Sequence, residues 1–314
     1  MKASHSSQLG VTVLTTVRPW LSLFRAGNSI TGIFGVFLGS ILASRGMPGE
    51  EYAPITVLHS LSVMTFMFSW NALNDFMDVD IDRINRPNRP IPSGKISLRS
   101  AKLGIQSTGM ISALSLIGAG YLSSKGEMGI NGWFPALLIW VFALFLLFHY
   151  EAKTRFSYGL KDRGLPGNFA ISMSVGLVII FGAASVSKPL DYRAWAVFIM
   201  GFLYNLSREI VKDIEDMEGD KGRDTFAMRG GEERASALAA SLLVLALAAM
   251  LFPFLPSFGI FTEWHVIFVM PAMVSLMMVK PRLMSSEYNS AQLMTKRSMQ
   301  LCLLAFLVIS LIPN

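Results

Sequence analysis

Long apolar segments separated by short charged loops dominate this sequence of 314 residues. A helix needs about 20 consecutive apolar residues to cross the hydrocarbon core of a membrane. Hydrophobic residues make up 52% of the chain and charged residues only 15%, and the mean hydropathy is +0.49. These values are typical of an all-α, polytopic membrane protein. The apolar windows predict nine transmembrane helices, at residues 20–43, 54–78, 97–122, 132–151, 166–186, 191–213, 233–255, 261–280 and 295–312.

Basic residues concentrate in the loops after the second, fourth, sixth and eighth predicted helices. Loops rich in Lys and Arg stay on the cytoplasmic side of a membrane, so the N-terminus is predicted to be cytoplasmic. The net charge of +6 is therefore interpreted as a signal for orientation in the cell membrane, and nucleic acid is not expected as a partner. A single cysteine, Cys302, excludes an intramolecular disulfide.

Aspartates form a stripe at the end of the second predicted helix. With 3.6 residues per turn, Asp75, Asp78 and Asp82 fall within an arc of roughly 60°. Asn71 lies inside the same arc, whereas Asp80 points to the other side. Three like charges beside an apolar segment are costly unless a cation lies between them. The stripe therefore predicts a site for a divalent metal, and Mg²⁺ is a cation that carboxylate oxygens bind.

The same spacing recurs near the end of the sixth predicted helix, where Asp213, Asp216 and Asp220 form a second stripe. Two stripes that lie four helices apart predict one domain, residues 1–314, made of two four-helix repeats and a ninth helix. Both stripes would then end on the cytoplasmic face and hold a metal-bound diphosphate together. The repeats are expected at about 20–151 and 166–280, with the ninth helix at 295–312.

Arginines follow the first stripe directly. Arg86 and Arg89 alternate with prolines in the loop after Asp82, and proline cannot extend the helix. Arginine forms paired hydrogen bonds with phosphate oxygens, so these side chains are predicted to bind the diphosphate. For the arginines taken alone, anchoring at the membrane surface is an equally good interpretation.

Other polar residues lie near the predicted membrane boundary. Arg208 and Lys212 precede the second stripe at a depth where an unpaired cation is costly, so a bound anion would stabilise them. In the first helix, Arg25 is expected to extend to the surface, and Asn28 to line a cavity or bond a neighbouring helix. Tyrosine and lysine at an interface are more often structural than functional. The loop between the fourth and fifth helices adds Tyr150, Lys153, Lys161 and Asn168.

The UbiA superfamily of membrane prenyltransferases has two aspartate signatures that this chain resembles. The first is matched by Asn74-Asp75-x-x-Asp78-x-x-x-Asp82 with Arg86-Pro-x-Arg89-Pro-Ile-Pro-Ser-Gly94, and the second by Asp213-x-x-Asp216-x-x-x-Asp220. The run from Arg208 to Asp220 is most similar to archaeal-type geranylgeranylglycerol-phosphate geranylgeranyltransferases. The resemblance covers nearly the whole chain, since the helix count and the placement of both motifs also fit.

The resemblance implies an Mg²⁺-dependent prenyltransferase with its active site toward the cytoplasm. Its partners would be membrane lipid, an isoprenoid diphosphate donor (geranylgeranyl diphosphate) and a prenylated glycerol phosphate acceptor. The aspartates that would hold Mg²⁺ are Asp75, Asp78, Asp82, Asp213, Asp216 and Asp220. The residues that would contact substrate are Asn28, Asn71, Asn74, Arg86, Arg89, Tyr150, Lys153, Lys161, Asn168, Arg208 and Lys212.

Two other functions stay open. The run Thr225-Phe-Ala-Met departs from the pattern Thr-Leu-Pro of that group, so an aromatic acceptor of quinone synthesis, such as homogentisate or 4-hydroxybenzoate, is an alternative. An ion-coupled transporter would also need acidic residues, although these normally lie near the middle of the membrane in broken helices. A phosphorylated acceptor would further need cations such as Lys161, Lys212 or Lys221.

Overall fold

The computed structural model describes residues 17–152, 154–217 and 224–312, without the side chain of Asn85. In these ranges the regular elements are helices, which confirms the all-α class. Residues 17–23 form a first helical segment. The helices that follow are α1 Ala26–Ser44, α2 Tyr52–Met77, α3 Val79–Asn85, α4 Leu98–Lys125, α5 Gly129–Glu151, α6 Leu165–Ala184, α7 Tyr192–Glu215, α8 Phe226–Gly230, α9 Glu232–Leu251, α10 Val266–Met277, α11 Val279–Met284 and α12 Tyr288–Leu311.

Eight helical segments of the described chain are long and apolar enough to cross a membrane. They correspond to eight of the nine predicted windows, and the two short helices α10 and α11 share one of them. The remaining window, 191–213, is also helical, as α7, but its charged residues lower its hydropathy and it is not among the eight. The polytopic architecture is therefore confirmed, whereas the count of nine spans and the orientation of the N-terminus stay predictions.

The described chain divides into two compact units. The first unit contains the residues up to Phe34 together with Val57–Gly118, and the second contains Gly35–Thr56 together with the residues from Ala119 onward. The first aspartate stripe lies in the first unit, and Asp213 and Asp216 lie in the second. The predicted repeats at 20–151 and 166–280 are not tested by this division.

Serine hydroxyls join α2 to α4 within the first unit. Ser62 Oγ donates to the backbone oxygen of Ser112 at 2.9 Å, and Ser112 Oγ donates to the backbone oxygen of Ser62 at 2.8 Å. Ser69 Oγ donates to the backbone oxygen of Ile105 at 2.9 Å. Small hydroxyl residues let apolar helices approach closely and hydrogen-bond across the contact. These bonds hold the helix that carries the first stripe.

Glycines bring α1 and α6 together within the second unit. A Cβ at Gly39 would lie 2.0 Å from the backbone oxygen of Ile179, and one at Gly182 would lie 2.1 Å from that of Val36. These positions therefore exclude any side chain. The contact fixes α6, which carries Asn168 near its start.

Hydrogen bonds also hold α7 in the second unit. The hydroxyls of Tyr204 and Ser298 are 2.8 Å apart, and Ser207 Oγ donates to the backbone oxygen of Ala239 at 3.0 Å. These bonds join α7 to α12 and α9. The helix that carries the second stripe is thus packed on several sides.

Candidate active site

The first stripe spans a short break between α2 and α3. Asp78 separates the two helices. The backbone N–H of Asp78 still donates to the backbone oxygen of Asn74 at 3.0 Å, and the backbone N–H of Asp82 donates to the backbone oxygen of Asp78 at 2.8 Å. The helical spacing therefore continues, and Asp75 and Asp82 are only 3% and 4% exposed. The side chain of Asp80 is 85% exposed and pairs with Arg83. Asp80 thus lies away from the two buried aspartates, as its position on the helix predicts.

Arg89 bridges the two buried carboxylates. Its Nη1 lies 2.9 Å from Asp75 Oδ1 and 2.6 Å from Asp82 Oδ2. The loop that brings Arg89 back to the stripe is anchored by Ile91 and Ile96, which are buried in the core cluster of the first unit. Burial of such side chains stabilises a fold by about 1.5–3 kcal/mol each. The sequence places Arg89 beside the stripe, and the packing of this loop explains how it gets there.

Arg25 is a second cation on the same carboxylate. Its Nη2 lies 2.8 Å from Asp75 Oδ1 and 3.4 Å from Asn74 Oδ1. The residue sits at the break before α1 with a φ of 47°, and Asn71 Nδ2 donates to the backbone oxygen of Phe24 at the same break. Asp75 Oδ1 therefore accepts from two guanidinium groups. Sequence reasoning missed this role, because an arginine near a helix end usually extends to the membrane surface.

The charge on Asp82 is only partly compensated. Burial raises the pKa of this carboxyl above its ordinary value, and the charge and hydrogen bond of Arg89 oppose that increase. Nearby Asp75 and Asp78 raise the pKa further through like-charge repulsion. A further cation beside Asp82 would favour its ionised form.

In the second unit, Asn168 contacts the second stripe. Its Nδ2 donates to Asp213 Oδ2 at 2.9 Å, and Asn168 is buried. An amide that donates to one carboxylate oxygen fixes the direction of the other, as partners of metal-binding groups commonly do. Arg208 Nη1 lies 3.1 Å from a carboxylate oxygen of Glu209, and Lys212 Nζ lies 3.8 Å from the other oxygen. Arg208 and Lys212 precede Asp213 on α7, and the sequence predicts that they bind an anionic ligand.

Lys161 forms a buried ion pair that the sequence does not reveal. Its Nζ lies 2.8 Å from Glu151 Oε1 at the end of α5. The loop between α5 and α6 is folded tightly, because a Cβ at Gly167 would lie 2.3 Å from the backbone oxygen of Leu160. The side chain of Lys161 is only 6% exposed, so it offers little surface to a substrate. The contact therefore supports a role in holding the loop that leads to Asn168.

The remaining candidates differ in exposure. Asn28 and Arg86 are exposed, whereas Asp78, Tyr150 and Asp216 are half-buried. The candidates that lie outside the described residues are Lys153, Asp220 and Lys221.

Asp75 and Asp82 fit a magnesium ion that also binds substrate. Within the described ranges, no group of three or more His, Cys, Asp or Glu side chains is arranged to hold a metal. The two carboxylates share Arg89, so their oxygens lie close enough to face one cation. Mg²⁺ is usually bound by one or two carboxylates and completes its shell with water and substrate phosphates. The donor set matches that pattern better than a cage made of protein ligands alone, and Asp75, Asp78 and Asp82 as metal ligands stay predictions.

Comparison with known proteins identifies the family. The sequence matches the UbiA prenyltransferase family over residues 32–304. The chain belongs to this family. The resemblance to this family is thereby confirmed, and the UbiA-family chain is an integral membrane enzyme of the prenyltransferase class.

Relatives of this UbiA-family chain match it over almost its full length. Digeranylgeranylglyceryl phosphate synthase of Methanobrevibacter smithii is 31% identical over 298 residues, which cover 94% of this chain and 98% of the relative. The enzyme of the same name from Methanosphaera stadtmanae is 33% identical over 288 residues, which cover 90% of this chain and 92% of the relative.

Solved structures share the UbiA fold. A structure described as digeranylgeranylglyceryl phosphate synthase in membranes has a TM-score of 0.68 at 29% identity, with coverage of 94% of this chain and 98% of that one. A UbiA homologue from Archaeoglobus fulgidus bound to GPP and Mg²⁺ has a TM-score of 0.51 at 16% identity, with coverage of 90% and 99%. At that identity the second likeness shows the fold alone.

Proposed function

We propose that this prenyltransferase transfers a geranylgeranyl group from geranylgeranyl diphosphate to geranylgeranylglyceryl phosphate. The observation that carries the proposal is the likeness to digeranylgeranylglyceryl phosphate synthases over 94% of this chain and 98% of the relative. The product would be a glycerol phosphate with two ether-linked chains, as in archaeal-type phospholipids. This likeness favours the glycerol acceptor over the aromatic acceptors and over transport.

The reaction exchanges one C–O bond for another. The bond between C1 of the geranylgeranyl chain and the diphosphate oxygen breaks, and a bond forms between C1 and the free glycerol hydroxyl of the acceptor. Diphosphate leaves with the bonding electron pair, and the hydroxyl proton passes to a base or to water. Apolar helices around the reacting carbon would exclude water, which would otherwise hydrolyse the donor.

The aspartates and arginines would act on the diphosphate. The predicted ligands of Mg²⁺ are Asp75, Asp78, Asp82, Asp213, Asp216 and Asp220. Bound Mg²⁺ supplies positive charge that stabilises the departing diphosphate. Asn28 is predicted to line the cavity for the prenyl chain. The residues predicted to donate hydrogen bonds to the diphosphate oxygens are Asn71, Asn74, Arg86, Arg89, Tyr150, Lys153, Arg208 and Lys212. Support comes from the burial of Asp75 and Asp82. A buried carboxylate is costly unless a cation compensates its charge.

The acceptor phosphate needs cations of its own. Among the predicted ones, Lys161 is paired with Glu151, and Lys212 lies near Glu209. A polar cleft of about 710 Å³ in the second unit is lined by Arg163 and Arg229, and also by Asp162 and by Asp224, which pairs with Arg229. We propose that Arg163 contributes to acceptor binding, so that Arg163→Gln raises the KM for the glycerol phosphate acceptor and leaves the KM for the donor unchanged.

The deciding experiment offers each acceptor separately to the purified protein. Geranylgeranyl diphosphate and Mg²⁺ are supplied with geranylgeranylglyceryl phosphate, homogentisate or 4-hydroxybenzoate, and EDTA serves as the control. Product from the glycerol phosphate alone, lost in EDTA, supports the proposal. Product from an aromatic acceptor alone would place the enzyme in quinone synthesis, and no product from any acceptor would return transport to consideration.

We also propose that the site faces the cytoplasm in a protein of nine spans with an N-terminus inside. Support comes from the alternation of basic loops and from α7, whose length of 24 residues would suffice to cross a membrane. A cysteine introduced at Ser93, in a protein whose Cys302 is replaced by Ser, reports the side directly. An impermeant maleimide should label it in inside-out vesicles, and labelling in right-side-out vesicles would reverse the orientation.

A further inference from the structure

Two guanidinium groups meet one carboxylate oxygen in the first unit. Asp75 Oδ1 accepts from Arg25 at 2.8 Å and from Arg89 at 2.9 Å. Arg89 also pairs with Asp82. Among the described residues, Arg25 pairs with the carboxylate of Asp75 and donates a longer hydrogen bond to Asn74 Oδ1 at 3.4 Å. Both arginines thus supply positive charge to the buried carboxylate.

We infer that Arg25 is a counter-ion that leaves Asp75 when the divalent metal binds. A metal bound by Asp75 and Asp82 carries two positive charges into a site where Arg25 and Arg89 already face the carboxylates. Like charges a few ångströms apart repel strongly at low effective dielectric constant. Arg89 forms ion pairs with both aspartates, whereas Arg25 forms an ion pair with Asp75. Arg25 is therefore the arginine that leaves. The inference rests on the proposed function, because that function assigns the metal to Asp75.

The backbone around Arg25 suits such an exchange. Arg25 has a φ of 47°, in the left-handed region that is unfavourable for a residue with a side chain. Its side chain is 35% exposed, so a path to a new position is open on one side. The break is held from the other side by the bond of Asn71 to Phe24, which does not involve the guanidinium. Arg25 can therefore change partner without loss of the turn.

Arg45 provides a matched control at the other end of α1. It also has a positive φ, of 59°, and its Nη2 pairs with Asp191 Oδ2 at 3.4 Å. Its side chain is 38% exposed, which is close to the value for Arg25. Arg45 also lies over the ring of Tyr192, 4.9 Å from its centroid. Loss of Arg45 removes one charge and one ion pair at a helix end, in a place where no metal is proposed.

The experiment measures metal affinity without substrate. Purified wild-type protein and the variants Arg25→Gln, Arg45→Gln and Asp75→Asn are titrated with Mn²⁺, and free Mn²⁺ is followed by its electron paramagnetic resonance signal. Arg25→Gln should bind Mn²⁺ more tightly, on the order of tenfold, because a repelling charge is removed. Arg45→Gln should match the wild type. Unchanged or weaker binding by Arg25→Gln would overturn the inference.

The same titration separates this inference from the proposed function. If Asp75→Asn loses the metal and Arg25→Gln behaves as the wild type, the exchange is wrong and the metal site stands. If Asp75→Asn binds Mn²⁺ as the wild type does, the metal is not held at Asp75, and both ideas fail.

A second measurement needs no variant, in case Arg25→Gln does not fold. Hydrogen–deuterium exchange of the wild-type protein is compared with and without Mg²⁺, in the absence of donor. Peptides that contain residues 24–29 should exchange faster with Mg²⁺, because the side-chain anchor on Asp75 is lost, while residues 45–49 should not change. Slower or unchanged exchange at 24–29 would contradict the release of Arg25.

Discussion

The ammonium of Lys161 lies 2.8 Å from the carboxylate of Glu151, and their side chains are only 6% and 2% exposed. Removal of one partner from a buried ion pair leaves an uncompensated charge and costs about 3–5 kcal/mol. Glu151→Leu should therefore lower the unfolding temperature of the detergent-solubilised protein markedly. The double variant Glu151→Leu with Lys161→Met should recover most of that loss, because an apolar pair of similar size replaces the charges. A double variant as unstable as the single one would show that other contacts of these residues matter more.

The buried and exposed aspartates of the first stripe should differ in catalysis. Asp82→Asn should reduce turnover by about a hundredfold or more, because it removes charge that holds the metal on the diphosphate. Asp80→Asn, in an exposed side chain on the same short helix, should leave turnover within about twofold, as expected of a surface change. Initial rates at saturating donor and acceptor measure both effects. Equal rates for the two variants would remove Asp82 from the site.

Asn168 should matter through Asp213 rather than through stability. Asn168→Leu keeps the size of the side chain but removes the donor to Asp213 Oδ2. Loss of a residue that orients a metal-binding carboxylate typically costs 10–100-fold in affinity or activity, and we expect about that loss in kcat. Asn289→Ala is the matched control, since Asn289 donates to Glu215 at an exposed position. A normal Mg²⁺ dependence in Asn168→Leu would contradict the orienting role.

The contact of α1 with α6 should not tolerate a single methyl group at Gly39. The added Cβ would lie 2.0 Å from the backbone oxygen of Ile179, so the helices must separate and lose packing along their length. Gly39→Ala should reduce the yield of folded protein in size-exclusion chromatography. Gly201→Ala, where nothing lies within 4 Å of the added Cβ, should be neutral or stabilising by up to about 1 kcal/mol, because glycine disfavours a helix. Normal yield of Gly39→Ala would mean that this packing relaxes easily.

Spacing alone predicts the part of the site that depends on helical geometry. Asp75 and Asp82 lie seven residues apart, close to two turns, so they share a face even though the helix breaks at Asp78. The exposure of Asp80 follows from the same geometry. Hydropathy likewise predicts the long helices, because apolar length sets a membrane span.

Contacts between distant segments could not be predicted in this way. The reach of Arg25 to Asp75 depends on a left-handed residue at the break before α1, and nothing in the local sequence requires it. Lys161 and Glu151 lie ten positions apart in the sequence, and their pairing depends on how the chain after α5 folds back on that helix. In each case a side chain that would be ordinary at a membrane surface becomes specific through tertiary packing.

The reciprocal bonds between Ser62 and Ser112 have a consequence for register. Each hydroxyl donates to the carbonyl of the other residue, so a slide of α4 along α2 by one turn, about 5.4 Å, breaks both bonds at once. The depth at which α2 ends relative to the start of α4 is therefore set in discrete steps. The segment that connects α2 to α4, which includes Arg89, therefore spans a fixed distance. Arg89 and the aspartates of the first stripe are thus held at the same depth in the membrane.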